Sequence, residues 1–547
     1  QPEPSRGEDF ELDPLNPFQK EINQEQMQAV VDILRHSYGD VPYVVFGPPG
    51  TGKTVVVVEA VLQILLNHAD PHILVCAPSN GAADVLASRL RERLAALHEE
   101  ILSRPPAWLA GSQRTPADVQ SCASIYRLNS PQRTIAELRG ELLAYTTFSA
   151  DYFTLPTIAS LLAMRVIVST CGATHLLLEA GVPCAASPTT DKGKGHFTHI
   201  LVDEASQALE PELLLPLSFA SSGTNVALIG DHMQLGPTVR SHFCRKHTLA
   251  RSMLERLIGL PAYASGSSYV TRLVRNYRSH GALLALPSRL FYCSELQEHA
   301  DPTVTHAMAG WSELREGGIP LLFYGLRSAH MHEVDSPSYF NVTEAEKLVE
   351  LIEKLVQVEI GGQGDKPRRK IDTNDLAVVT PFRKQVLKVR HMLRQRGLGA
   401  VRVGSVDDYQ GQEELIVLVS TVLGSGTSAP TPSLAQGLMS SPNRFNVAIT
   451  RAKALLLVVG DPNALYDDQY WRELLQYAVE HDAYRGCAHP LLVEGAEEED
   501  VSIRLAQLAQ QTLGLGDACR MFPRFSSFLE GGTDYESYDD QPWRVML

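Results

Sequence analysis

One eight-residue stretch, Gly47-Pro48-Pro49-Gly50-Thr51-Gly52-Lys53-Thr54, constrains this chain more than any other feature. It stands between a short β-branched run, Tyr43–Phe46, and a helical pattern, Val55–Asn67. G-x-x-x-x-G-K-T between a strand and a helix is a phosphate-binding loop. The glycines let backbone N–H groups turn toward phosphate oxygens, and the helix N-terminus adds its positive dipole end. Lys53 is expected to reach the β- and γ-phosphates, and the Thr54 hydroxyl to ligate Mg²⁺.

Such a loop needs a carboxylate at the end of a neighbouring strand. Thr198-His199-Ile200-Leu201-Val202-Asp203-Glu204-Ala205 supplies one. Asp203 is expected to hold the metal ion and Glu204 to polarise the attacking water. Gln207 and Gln234 are placed to sense the γ-phosphate or that water. No N-K-x-D guanine signal occurs, which favours ATP over GTP.

Continuous apolar strand patterns recur at Ile73–Cys76, Val166–Ser169, Ile200–Asp203 and Val226–Gly230, and again at Leu321–Tyr324, Leu376–Thr380, Val401–Val406, Leu415–Val422 and Leu455–Gly460. Apolar strands alternating with helices mean parallel sheets covered on both faces. The expected fold is therefore α/β, with two tandem parallel-sheet domains of the P-loop type. Expected boundaries are an acidic linker over 1–21, a first domain over 22–262, a second over 270–490 and an acidic tail over 491–547. A helical insertion in the first domain is expected over about 100–160, from patches such as Thr134–Tyr145. At 547 residues and 44% hydrophobic content, a disordered or collagen-like chain is excluded. No apolar run reaches the ~18 residues of a membrane span. The first 25 residues are too polar for a signal peptide. The chain opens on Gln1 rather than Met, which reads as a piece of a longer protein. The eight cysteines form no C-x-x-C pair, so a zinc site is not expected, and they suit a reducing compartment. Net charge is −15, but residues 1–25 carry −5 and 494–547 carry −7, leaving a nearly balanced body. Global charge neither requires nor excludes a nucleic-acid partner.

Rapid hydrolysis needs positive charge from outside the loop, worth roughly 10³–10⁵ in rate. Arg278 in Asn276-Tyr277-Arg278-Ser279-His280 and Arg451 in Asn446-Val447-Ala448-Ile449-Thr450-Arg451-Ala452-Lys453 are the candidates. With these, the ordered set G-P-P-G-T-G-K-T, A-P-S-N (77–80), D-E-A-S-Q (203–207), G-D-H-M-Q-L-G-P (230–237), N-Y-R-S-H (276–280), V-D-D-Y-Q-G-Q-E (406–413) and N-V-A-I-T-R-A-K (446–453) resembles the superfamily 1 helicases of the Upf-like group. The wording is closest to the Armitage/Mov-ten subgroup and the related large zinc-finger-bearing helicases, and the resemblance runs from residue 15 to about 490. It implies two RecA-like lobes closing on ATP. It also implies that Gln26 reads the adenine edge, Tyr277 stacks on the base and Glu413 contacts ribose. Gln234 would link ATP state to lobe closure, while Asn80, Thr170, Thr380 and Pro381 would touch a strand backbone. Tyr409 and Phe382 depart from the family's usual Phe and Tyr while keeping an aromatic face.

The resemblance implies an ATP-dependent RNA helicase or translocase moving 5′-to-3′ on single-stranded RNA. The alternatives are a DNA-preferring translocase and a ribonucleoprotein or coactivator binding module with a vestigial ATPase. Retention of Lys53, Asp203, Glu204, Arg278 and Arg451 weighs against the vestigial reading. Implied partners are single-stranded RNA and proteins of RNA decay or silencing, with no membrane and a monomeric core within a larger chain. The implied location is the cytoplasm, with the nucleus as the alternative.

Overall fold

The computed structural model describes residues 22–35, 41–68, 70–103, 124–184, 195–264, 266–333, 338–361, 368–424 and 441–490. The expected acidic linker and tail, and residues 104–123 of the expected insertion, lie outside the described residues. Two parallel sheets follow one another along the chain. The first holds β1 (Tyr43–Phe46), β2 (Ile73–Ala77), β3 (Ile125–Arg127), β4 (Val166–Thr170), β5 (His199–Val202), β6 (Asn225–Gly230) and β7 (Val270–Arg272). Its order is β3-β4-β2-β5-β6-β1-β7, and every pairing is parallel. The second holds β8 (Leu321–Gly325), β9 (Leu376–Thr380), β10 (Arg402–Ser405), β11 (Glu414–Ser420), β12 (Ala452–Gly460) and β13 (Tyr484–Gly486). Its order is β10-β9-β11-β12-β8-β13, again all parallel. These are the two RecA-like lobes.

Alternation along the strands explains why both faces are covered. Successive side chains point to opposite faces, so Val45, Val75, Val168, Leu201 and Ile229 enter one core, while Val44, Leu74, Ile167, Ile200 and Leu228 enter the other. The second lobe repeats this, with Phe323, Val379, Val417 and Val458 on one side and Leu322, Val378, Leu418 and Leu457 on the opposite side. At ~25 cal/mol per Å² of apolar surface removed from water, these cores dominate the stability of each lobe. No described helix is long and apolar enough to cross a membrane.

The helical patches expected over Thr134–Tyr145 are two short 3₁₀ helices, Ile135–Glu137 and Gly140–Tyr145. Leu138 and Arg139 between them are extended, with ψ of 139° and 130°. Arg133 Nη2 donates to the Glu137 carbonyl at 3.1 Å, drawing that oxygen away from a helical partner. The expected helical insertion also contributes a strand, because β3 is an edge of the first sheet rather than part of an appendage. Finally, the first sheet extends past residue 262: β7 pairs with β1, so residues 270–272 belong with the first lobe.

Candidate nucleotide cleft

In a parallel sheet, the loops that bind ligands leave the carboxyl ends of the strands. Strands β5, β6 and β1 are neighbours, so their ends deliver Asp203, Asp231 and the loop 47–54 to one place. Gly47 N donates to the Gly230 carbonyl at 3.1 Å, pinning the start of the loop. Gly50 and Gly52 have φ of 72° and 82°, the left-handed region that a side chain would strain. A methyl on Gly47 would meet Lys53 Cγ at 2.5 Å. Thr51 Oγ1 closes the turn by donating to the Pro48 carbonyl at 2.8 Å. Lys53, 8% exposed, donates from Nζ to the Gly47 carbonyl at 2.8 Å, so its ammonium hangs inside the loop it would share with phosphates.

Thr54 Oγ1 donates to Asp203 Oδ2 at 2.9 Å, and Glu204 N donates to Asp203 Oδ1 at 2.9 Å. Burial and the adjacent Glu204 charge push the Asp203 carboxyl up to about 6, against the pull of Lys53 and Thr54. A carboxylate so disfavoured as an anion is poised to accept a cation. The Thr54–Asp203 oxygen pair fits the sparse protein share of a Mg²⁺ shell, which keeps its waters and takes phosphate oxygens. Glu204 itself is left-handed at φ 52°, and Gln207 Nε2 holds its carboxylate at 3.1 Å.

The second lobe reaches into this place. Asn276 Nδ2 donates to the Pro49 carbonyl at 2.7 Å, and Tyr277 N donates to the Gly50 carbonyl at 2.8 Å. A methyl on Gly50 would lie 2.6 Å from Arg278 Cβ. The Arg278 guanidinium turns back, donating to Glu413 Oε2 at 2.5 Å and to the Thr450 carbonyl at 3.0 Å. Glu413 also pairs with Lys453 at 3.0 Å. Burial alone would raise the Glu413 carboxyl, but Arg278 and Lys453 outweigh it and hold it down at about 2. Arg451 donates from Nη2 to Gln234 Oε1 at 3.2 Å, across the cleft. Burial, with the like charge of Arg278, pulls Arg451 down to about 9. Gln234 Nε2 meanwhile donates to Asp231 Oδ2 at 2.7 Å.

Two AAA domain family profiles match the chain, one over residues 21–134 and 161–242, the other over 249–463. Together they cover about three quarters of it. The human RNA helicase Mov10l1 is 39% identical over 485 residues, 86% of this chain and 36% of that protein. The Drosophila melanogaster probable RNA helicase armi is 30% identical over 509 residues, 88% of this chain and 40% of that one. A human probable helicase with zinc finger domain is 30% identical over 505 residues, 88% of this chain and 23% of the other. This chain belongs to the Upf-like superfamily 1 helicases. It spans well under half the length of these relatives. Among solved structures, a complex of arterivirus nonstructural protein 10 (helicase) with DNA aligns over 82% of this chain and 65% of its own, at 15% identity and a TM-score of 0.35.

The expected adenine-side residues of this Upf-like chain lie together. Gln26 Nε2 donates to the Thr51 carbonyl at 2.9 Å, and Asn23 Nδ2 donates to the Tyr277 hydroxyl at 2.8 Å, leaving the Tyr277 ring 39% exposed. The expected strand contacts of this chain are less uniform. Asn80 opens the helix Asn80–Ser103 and its Oδ1 accepts from Arg127 Nη2 at 3.1 Å. Thr170 Oγ1 accepts from Ala173 N at 3.2 Å, capping a turn. Thr380 is fully buried and its hydroxyl has no hydrogen-bond partner among the described residues, whereas Pro381 is part-exposed.

Several cleft residues escaped residue-level assignment. Tyr292 donates to Asp231 at 2.8 Å and accepts from Asn446 Nδ2 at 2.7 Å. Asn446 also donates to the Met233 carbonyl at 2.8 Å, and Asn443 Nδ2 donates to the Gln234 carbonyl. Asn276 and Asn446 lie inside the recognised motifs, and that position was the only available signal.

Proposed function

We propose that this chain is the motor of an ATP-driven RNA helicase that moves 5′-to-3′ along a single strand. The observation that carries the reading is the Arg451–Gln234 hydrogen bond, which joins the lobes beside the phosphate loop. Lys53 would leave the Gly47 carbonyl for the β- and γ-phosphates. Thr54 and Asp203 would hold Mg²⁺, which supplies charge against the transferring phosphoryl group. Glu204, oriented by Gln207, would position water and take up its proton. Arg451, with Arg278 released from Glu413, would add the guanidinium charge, worth roughly 10³–10⁵ in rate and so about 4–7 kcal/mol of barrier. Gln26 and Tyr277 would select the base, and Glu413 the ribose.

Because Arg451 and Asn276 tie the second lobe to the first, differential contacts in the two nucleotide states would bias the lobes between arrangements. If each lobe grips strand phosphates, one from Asn80 and Thr170 and the other from the Thr380-Pro381 turn, closure shortens the distance between grips. We extend the reading to a cytoplasmic protein acting with ribonucleoprotein partners, as a monomeric core within a longer chain.

ATP hydrolysis with and without single-stranded RNA, on the parent chain and Lys53→Ala, tests the proposal. Strand-stimulated hydrolysis that survives Lys53→Ala would overturn it. Unwinding of duplexes with 5′ or 3′ tails of RNA or DNA decides polarity and strand type, and a preference for DNA tails would replace RNA in the proposal.

A further inference from the structure

Between Asp231 and Glu255 the chain carries Arg240, Arg245, Lys246 and Arg251 and not one carboxylate, in a protein of net charge −15. This stretch leaves the carboxyl end of β6 and comes back to the same point. A methyl on Gly236 would lie 3.6 Å from the Ala250 carbonyl, and one on Gly230 would lie 3.1 Å from Leu254 Cδ1 and 3.1 Å from Ser206 N. The intervening residues therefore form a protrusion rooted beside the Asp203–Gln207 turn, on the edge of the sheet from which Asn80 and Thr170 also emerge. It is internally braced: Ser241 Oγ accepts from Cys244 N at 3.3 Å, and Leu249 N donates to the Cys244 carbonyl at 3.0 Å. Its tip carries Phe243, at 69% the most exposed large hydrophobic side chain described. The ring lies 4.3 Å from the imidazole of His247, centroid to centroid, and is flanked in sequence by exposed Arg245 and Lys246.

An exposed aromatic ring on a braced turn with cations beside it has the make-up of a stacking platform. Aromatic faces stack on bases of any sequence while neighbouring cations follow the phosphates. We propose that the 237–250 protrusion is an additional single-strand RNA contact, in which Phe243, backed by His247, stacks on a base and Lys246 meets an adjacent phosphate. The inference deepens the function proposed above and rests on it. Charge complementarity favours this occupant: residues 237–250 carry three bases and no carboxylate, and they leave the same carboxyl end of the sheet as the proposed grip of Asn80 and Thr170.

The test is fluorescence anisotropy of a labelled oligouridine strand across a salt series, with binding of a fluorescent ADP analogue measured on the same samples. Phe243→Ala is expected to weaken strand binding about five- to tenfold. Phe243→Trp is expected to restore it, with indole emission quenched as the strand is added. Lys246→Gln is expected to flatten the salt slope by about 0.7. ADP-analogue affinity stays at the parent value in all three variants. Parent-like strand binding in both Phe243→Ala and Lys246→Gln would overturn the inference. A parent chain that binds no RNA would overturn the proposed function as well, so the two failures are distinguishable.

Discussion

Arg451 of the second lobe donates to Gln234 of the first at 3.2 Å, and both side chains are almost wholly buried. The arginine is further held by the Val447 carbonyl at 2.9 Å and the Gln412 carbonyl at 3.2 Å. These acceptors fix the guanidinium beside Gln234, which limits the reorganisation left for the reaction. Arg451→Lys keeps the charge but not the planar fork. RNA-stimulated ATP hydrolysis should fall by about three orders of magnitude in kcat, while affinity for an ADP analogue changes little. A variant whose loss appears in KM alone would place Arg451 in ground-state binding instead.

Tyr277 makes the opposite prediction. Its ring is exposed beside the loop, while its backbone N–H is anchored on Gly50 and its hydroxyl accepts from Asn23. Stacking on a base contributes equally to substrate and transition state, so Tyr277→Ala should raise KM for ATP about tenfold with kcat nearly unchanged. Tyr277→Phe keeps the face and loses only the Asn23 bond, so its KM should stay within about twofold of the parent. Steady-state kinetics on both variants separate the ring from the hydroxyl.

Contiguity decides how much of this was legible in the sequence. The phosphate loop, the Asp203–Glu204 pair and the central strands each lie in one unbroken stretch, where local periodicity and composition report directly on structure. The edge strands β3, β7 and β13 are three residues long and carry Arg127, Arg272 and Arg485, so no apolar run announces them. Glu413 shows the other limit. Its expected ribose role says nothing of the ion pairs with Arg278 and Lys453, because they join residues far apart in the chain.

Beneath Asn80 lies a network that the sequence left unseen. Asp84 accepts from Arg127 Nε at 2.9 Å and from Arg133 Nη1 and Nη2 at 3.0 and 2.5 Å, and all three side chains are buried. One carboxylate thus serves two guanidinium groups, and Arg127 passes the constraint to Asn80. Asp84→Ala would leave two buried cations unpaired, a change that costs about 3–5 kcal/mol when a buried pair is broken. Urea denaturation should show a loss of that size with an unchanged m-value. In the fraction that remains folded, strand binding should weaken more than nucleotide binding.

Glu344 sets a pH dependence in the second lobe. Its side chain is fully buried, accepts from Ser420 Oγ at 2.6 Å and from Val422 N at 2.9 Å, and lies near the buried Asp461. Burial dominates these partners and raises the carboxyl from 4.5 to about 8. The folded chain therefore holds this proton between about pH 4.5 and 8, where the unfolded chain releases it. Stability falls with rising pH wherever the native state binds more protons, so this group's unfavourable contribution grows across that window and is full above about pH 8. Its ceiling is on the order of several kcal/mol. Glu344→Gln keeps an acceptor for Ser420 and Val422 without the charge. The variant should melt higher than the parent at pH 8.5, and the gap should close as the pH falls toward 5. A gap that stays constant from pH 5 to 8.5 would mean that Glu344 is ionised in the folded protein throughout, with Asn341 Nδ2, 3.4 Å from its Oε1, among the groups compensating the charge.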